Sequence, residues 1–410
     1  MVHQSPSGAR DLLPLDVAQK RWIEKRLRPV FAQWGYHRII TSTVERLDTL
    51  MAGGALEPSM VIQLEESEDE TRLGLRPELT ASIARAAVTR MAGDTYPQRL
   101  YYNANVFRSS GDSHGSQHEF YQAGVELLGA GGWLADAEIM LLTSDCLQSL
   151  GITQWKVILG SADLTASLLS PFPDKLREKV RDCIARIDRI GLENLSMSPT
   201  EKQRALFLFD LRGKPGDVLQ QVASLKLDES QQTAVENLKS LIDLLHCSGF
   251  TPESLVLDLS LIQSLDYYTG IVFEVVSEGN SGPQILGQGG RYDQLLSLYH
   301  PQGETIPSIG FALNLDNLQE LLRREGNLPK EIQPSDWLVV PVNLQAYAAA
   351  FARAQKLRQR ETGDPIVRVE MELRQDLDPQ AVRDYARRRA ISQIAWVQDN
   401  GSIETEVVPT

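Results

Sequence analysis

The side chains in this sequence that could make or break bonds are scattered along it. The six histidines, His3, His37, His114, His118, His246 and His300, show neither metal-ligand spacing nor a nucleophile-base arrangement. The three cysteines, Cys146, Cys183 and Cys247, lie far apart without a CxxC pair, so they read as buried thiols rather than a zinc cluster or a disulfide framework. "RGKPG" at 212–216 contains Gly-Lys but lacks the Ser/Thr and the upstream glycine of a phosphate-cradling loop, and it reads as a turn. No catalytic group, metal or cofactor is expected from these residues. What stands out instead is recognition chemistry. "SLIQSLDYYTGIVFE" at 260–274 puts Gln263, Ser264, Asp266 and two adjacent phenols, Tyr267 and Tyr268, at a polar joint between two period-2 apolar runs. The runs are Leu257-Leu259-Leu261 and Ile271-Phe273-Val275. Taken alone, the joint reads as the capped turn of a hairpin, with its tyrosines covering the core.

The elements around that joint suggest two domains, which 410 residues allow. Residues 16–34 have helical apolar spacing and stop at Gly35, and "YHRIITSTVE" after them reads as a strand. A helix at 78–92 is followed by the strands "LYYNANVFR" and "EFYQAGVELLG", which the loop "SSGDSHGSQH" joins. A helix at 131–150 leads to the strand "WKVILGSAD". From about 164 to 250 the chain turns helical, as an insertion would, with Val235, Leu238, Leu241, Ile242 and Leu245 on one stripe. Strands return at 255–276, then a glycine-rich turn "LGQGGRYD" and a strand-to-helix segment "IPSIGFALNLDNLQELLRR". The first domain is therefore placed at 1–325, a polar linker at 326–334, and a small α/β domain at 335–410 in which strands and helices alternate.

A formal charge of −13 and a pI near 5.1 argue against a protein that holds nucleic acid through its phosphates. Arg387-Arg388-Arg389 reads as a solvated helix face. The polar start "MVHQSPSGARDLLP" lacks a signal pattern, and no apolar run approaches the roughly 18 residues of a membrane span, so a cytoplasmic protein without a membrane partner is expected.

Eight stretches in shared order resemble the histidyl-tRNA synthetase family of class II aminoacyl-tRNA synthetases. They are "GARDLLP" (8–14), "GYHRIITSTVE" (35–45), "LRPELTASIAR" (75–85), "NVFR" (105–108), "EFYQAGVELLG" (119–129), "LDYYTGIVFE" (265–274), "GQGGRYDQL" (287–295) and "IGFALNLDNL" (309–318). The resemblance implies an α+β fold: an antiparallel sheet with flanking helices and a helical insertion, dimeric through its first motif. It also makes the C-terminal segment similar to a shortened anticodon-binding domain. In that family the amino acid is surrounded by side chains whose positions match Glu78, Thr80, Arg108, Gln122, Glu126, Tyr267 and Tyr268. On this correspondence Glu78, Thr80 and Gln122 suit the ammonium of histidine, Arg108 its carboxylate, and Glu126 with Tyr268 its ring.

The same comparison shows what is missing for adenylation. Ser116 and His118 stand where the family has two arginines, Gln263 where it has a catalytic arginine, and Asn314 and Asn317 where the third motif has its glycine and arginine. Ser42 replaces the first motif's proline. Losing one group that stabilises developing charge costs about 10² to 10³ in rate, so losses across the nucleotide-contacting motifs make adenylate formation unfavourable. A histidine pocket without activation chemistry resembles the synthetase-like regulatory subunits of ATP phosphoribosyltransferase. That resemblance implies a non-catalytic chain that joins a short catalytic subunit in a hetero-octamer at the first step of histidine biosynthesis and confers feedback by histidine. A divergent active synthetase and a tRNA- or amino-acid-sensing scaffold are the alternatives, with tRNA disfavoured by the acidic charge.

Overall fold

The computed structural model describes residues 5–6, 8–53, 58–64, 72–109, 117–261, 267–278, 282–359, 365–374 and 378–409. Ser116 and Gln263 lie outside the described residues. Contacts divide the chain into two compact units, Met1–Pro329 and Lys330–Thr410.

The first unit is built on a nine-stranded sheet. In spatial order its strands are His37–Arg38, Gln98–Phe107, Glu119–Leu128, Ser308–Asn314, Gln284–Arg291, Ile271–Ser277, Trp155–Ser161, Leu255–Asp258 and Arg212–Gly213. The pairings from Gln98–Phe107 across to Trp155–Ser161 are all antiparallel, and His37–Arg38 and Leu255–Asp258 join in parallel. Side chains of a strand alternate between faces, and the two faces here differ in character. Tyr101, Ala123, Val125 and Leu127 pack with Ile23, Leu27 and Phe31 of the helix Pro14–Gln33 and with Ile139, Met140 and Cys146 of the helix Gly132–Ser149. Leu100, Tyr102 and Leu128 face the opposite way, onto Leu79, Ile83 and Ala87 of the segment entering and forming the helix Thr80–Thr89. Helix Pro14–Gln33 ends just before Gly35, whose φ of 80° lies in the left-handed region that glycine enters without strain.

The insertion comprises the helices Ala162–Leu169, Asp174–Ala185, Arg189–Asn194, Pro199–Phe209, Pro215–Ala223 and Glu229–Cys247. The last begins with Asp228 accepting from Gln231 N at 2.8 Å and buries Leu238, Leu241, Ile242 and Leu245.

Five local readings of the sequence are corrected. Of the three cysteines only Cys146 is buried; Cys183 is half-buried, and Cys247 is exposed at the end of helix Glu229–Cys247. Leu255–Asp258 and Ile271–Ser277 are not a hairpin, because Trp155–Ser161, about a hundred residues earlier, lies between them. "YHRIITSTVE" is not one strand: His37–Arg38 joins the large sheet, while Val44–Arg46 pairs with Leu73–Leu75 in a separate ribbon. "RGKPG" is a short edge strand running into the helix Pro215–Ala223. "LGQGG" is no turn but the middle of a central strand. Its glycines answer to close packing rather than to bending: a Cβ on Gly289 would lie 2.5 Å from Gly310 O, and one on Gly290 would lie 2.6 Å from the Tyr268 ring.

The second unit has a four-stranded sheet in the order Val369–Met371, Trp337–Pro341, Gln393–Val397, Ile403–Val407. The first three strands are parallel and the last is an antiparallel edge that the alternation in the sequence did not announce. Helix Tyr347–Arg358 covers one face through Ala350 and Ala354, and helix Pro379–Arg388 covers the other through Val382 and Ala386. Arg387 and Arg389 pair with Asp384 and Glu370 at 2.8 and 3.1 Å on exposed surface.

Candidate ligand-binding site

On the face of the large sheet that carries Tyr102, seven polar side chains from four separate segments converge. Glu78, Thr80, Arg108, Gln122, Glu126, Tyr267 and Tyr268 all line one cavity of about 30 Å³. Gln122 and Glu126 project from the strand Glu119–Leu128, four residues apart and hence on one face. Glu78 lies two residues before the start of the helix Thr80–Thr89, where free N–H groups and the helix dipole favour an anion. Ala81 N donates to one oxygen of Glu78 at 2.9 Å, and Thr80 N donates to the other. Arg108 follows the strand Gln98–Phe107 and is steered by its Nε, which donates to Pro77 O at 2.9 Å. It is the one cation among the described residues lining the cavity. The buried Arg76 braces this corner by donating to the carbonyls of Thr41, Ser42 and Asn105 at 2.9 to 3.0 Å.

Glu126 is the centre of the arrangement. It is only 1% exposed, and each of its oxygens accepts a hydroxyl hydrogen, one from Thr80 at 2.8 Å and the other from Tyr292. Burial pushes its carboxyl up to about 8; the Tyr292 and Thr80 hydroxyls pull in the opposite direction, and the charge of Glu78 adds to the upward push. Burial raises Glu78 as well, against the pull of its N–H donors and Arg108. Two such carboxyls in one small cavity make a site that gains from a cationic or N–H-donating ligand. Tyr267 lies beside Tyr268 with ring centroids 4.9 Å apart and stands edge-on to Tyr292 at 5.8 Å.

Tyr102, Gln288 and Tyr292 also line the cavity and were missed by the sequence reading. Gln288 and Tyr292 lie in "GQGGRYD", read there as a turn; the signal available was the density of glycines, which mark where backbones approach closely. A Cβ on Gly310 would fall onto the Glu126 carboxylate.

The described positions that depart from the synthetase pattern serve structure. The side chain of Asn314 accepts from Asp316 N and Asn317 N at 3.0 and 3.1 Å and caps the helix Leu315–Arg324, while Asn317 Nδ2 donates to Ile285 O at 2.7 Å. Asp316 accepts from Tyr121 N and pairs with Arg10, both at 3.0 Å, which puts a carboxylate on this motif. His118 exchanges backbone contacts with Arg108 and Gly8, and its Nδ1 lies 2.9 Å from Arg108 O. None of Asn314, Asn317 and His118 is among the residues lining the cavity. A roomier cavity, about 610 Å³ and lined by Leu344, Tyr347, Arg374 and Trp396 among others, lies in the small unit and involves none of the expected residues.

Fold and pocket together define a class II synthetase-like core of the histidyl type, and residues 8–318 match the family model for histidyl-tRNA synthetase. The crystal structure of an ATP phosphoribosyltransferase regulatory subunit/histidyl-tRNA synthetase from Bacillus halodurans is similar over 97% of this chain and 99% of that one, with a TM-score of 0.80 and 27% identity. That of histidyl-tRNA synthetase from Nostoc sp., at TM-score 0.77 and 21% identity over 99% of this chain and 97% of that one, shares the fold. The ATP phosphoribosyltransferase regulatory subunit of Trichormus variabilis is 59% identical over 409 residues, which is 100% of both chains. This chain belongs to the ATP phosphoribosyltransferase regulatory subunit family.

Proposed function

We propose that this chain is the non-catalytic regulatory subunit of a cytoplasmic ATP phosphoribosyltransferase, required for the first step of histidine biosynthesis, and that histidine is its regulatory ligand. The observation that carries the reading is the convergence of seven synthetase-type recognition residues on one cavity, while Asn314 and Asn317 are spent on capping a helix and tying a strand. Support for the partner comes from the relatives' names.

Histidine binding would place its ammonium against Glu78, Thr80 and Gln122, its carboxylate against Arg108, and its ring between Glu126 and Tyr268. At about 30 Å³ the cavity has room for little more than a water, so the amino acid must widen it on entry. Widening couples the ligand to its walls. The bound amino acid then biases the contacts with the short catalytic chain, in a hetero-octamer whose regulatory subunits pair through their synthetase-like cores. A coupling free energy of about 1 to 3 kcal/mol is enough for feedback of this kind. No helix of the described residues is long and apolar enough to cross a membrane.

Calorimetric titration with histidine, run beside histidine-dependent ATP–pyrophosphate exchange, tests the ligand half of the proposal. Binding without exchange is expected, together with a loss of about tenfold or more in affinity for Glu126→Ala. No heat at millimolar histidine, equal binding by the variant, or measurable exchange would each contradict it.

A further inference from the structure

Tyr292 is not among the seven residues that the family resemblance assigns to the amino acid, yet its hydroxyl donates to the most deeply buried of them, Glu126. The phenol comes from a well-fixed segment. Tyr292 N donates to Ser308 O at 2.8 Å. On one side of it, Arg291 donates to Asp136 and to the carbonyls of Ala130 and Gly132. On the other, Asp293 receives Ser308 N at 3.0 Å while its own N–H donates to Thr269 Oγ1 at 2.9 Å.

The groups facing Glu126 come from every neighbouring element. Helix Thr80–Thr89 contributes Thr80 and the segment before it Glu78, the strand Gln98–Phe107 contributes Tyr102, and Arg108 follows it. Tyr267 and Tyr268 close one side, and the two glycine-bearing strands contribute Gln288 and Gly310. Among these, burial and the Glu78 charge oppose ionisation of Glu126, and the hydroxyls of Tyr292 and Thr80 favour it. A carboxylate has about four lone-pair positions, of which these two hydroxyls use two, so further positions remain for a ligand donor.

We propose that Tyr292 is a positioning residue for the ligand: its hydroxyl holds one oxygen of Glu126 so that the ionised carboxylate turns its remaining lone pairs to the ring N–H of histidine. This rests on the histidine reading above. A neutral donor suits the task, because a cation there would neutralise the charge that the ligand is meant to meet. With the carboxyl pushed up to about 8, the empty pocket is mostly protonated at pH 7, and histidine, by capturing the ionised form, releases a proton.

The test is histidine affinity by calorimetry from pH 6.5 to 9.5, on the full chain, for wild type, Tyr292→Phe and a variant with 3-fluorotyrosine at position 292. Removing a donor from a charged acceptor raises the carboxyl's pKa further, so Tyr292→Phe should bind about tenfold more weakly at pH 7 and within about threefold at pH 9.5. Fluorination makes the phenol a stronger donor at nearly unchanged size, and it should move the profile the other way, to lower pH. Titration of the ligand itself is common to all three proteins and cancels in the ratios. A wild-type to Tyr292→Phe ratio that stays flat with pH, or a fluorinated variant that shifts in the same direction as the Phe variant, would overturn this inference alone. If wild type fails to bind histidine at millimolar concentration, the histidine reading falls and takes this inference with it.

Discussion

Glu126 is a buried carboxyl whose ionisation the pocket opposes, and that gives it a signature in stability as well as in binding. Its folded pKa of about 8 lies above the ordinary carboxylate value, so the folded protein keeps a proton that the unfolded chain gives up. The stability this contributes is fully present below about pH 4.5 and is lost as pH rises through about 8, at no more than about 1.4 kcal/mol per pH unit. Thermal melts of the ligand-free protein should therefore fall between pH 5 and 8.5, and Glu126→Gln should flatten that decline. Parallel profiles for the two proteins would contradict the assignment. Gly310 supplies a steric counterpart. Its Cβ in Gly310→Ala would meet the Glu126 carboxylate and lie 2.6 Å from Val125 O, so a loss of about 1 to 3 kcal/mol in stability and of histidine binding is expected by melting and calorimetry. Gly93→Ala, with nothing within 4 Å, is the control and should stay within about 0.5 kcal/mol of wild type.

Among the elements, the strand end at Ser308–Asn314 places Asn314, which stands where the synthetases have a glycine, as the cap of the helix Leu315–Arg324. Asn314→Ala should cost about 1 kcal/mol of stability through the lost helix cap, read from denaturant midpoints, with little change in histidine affinity. The buried Arg291–Asp136 pair, with Arg291 Nε donating at 2.9 Å, joins the end of the glycine-rich strand to the helix Gly132–Ser149. Asp136→Ala leaves Arg291 buried without that partner and should cost about 3 to 5 kcal/mol. These elements also show what could be read from the sequence. Strongly periodic segments such as Pro14–Gln33 and Glu229–Cys247 were legible because one apolar stripe faces one core. The converging residues were legible through the family resemblance, since Gln122 and Glu126 look alone like the polar face of a strand. Strand neighbours were not: Trp155–Ser161 enters between Leu255–Asp258 and Ile271–Ser277 from a distant part of the chain, and no local pattern records that. Nor was the strand Gln284–Arg291, because the glycines that local rules assign to turns are there to make room for Tyr268, Phe273 and Phe311.

At the scale of the whole molecule, a net charge of −13 sits poorly with a tRNA partner, whose phosphates need concentrated cations. A gel shift with histidine tRNA at physiological salt should show no complex. The convergence of the seven expected residues on one cavity, with Asn314 and Asn317 tied into structure, favours the proposed role of reporting histidine to a catalytic chain over that of activating it. The stretch "SLIQSLDYYTGIVFE" carries both halves of that account, with Tyr267 and Tyr268 lining the cavity and Gln263 standing where the synthetases keep an arginine. The most direct measurement is the initial rate of phosphoribosyl-ATP formation by the short catalytic subunit, alone, with this chain added, and with this chain plus histidine. Activation by this chain and inhibition of the activated rate by histidine are expected, with the inhibition weakened in Glu126→Ala. A catalytic subunit whose rate does not change when this chain is added would contradict the proposed role.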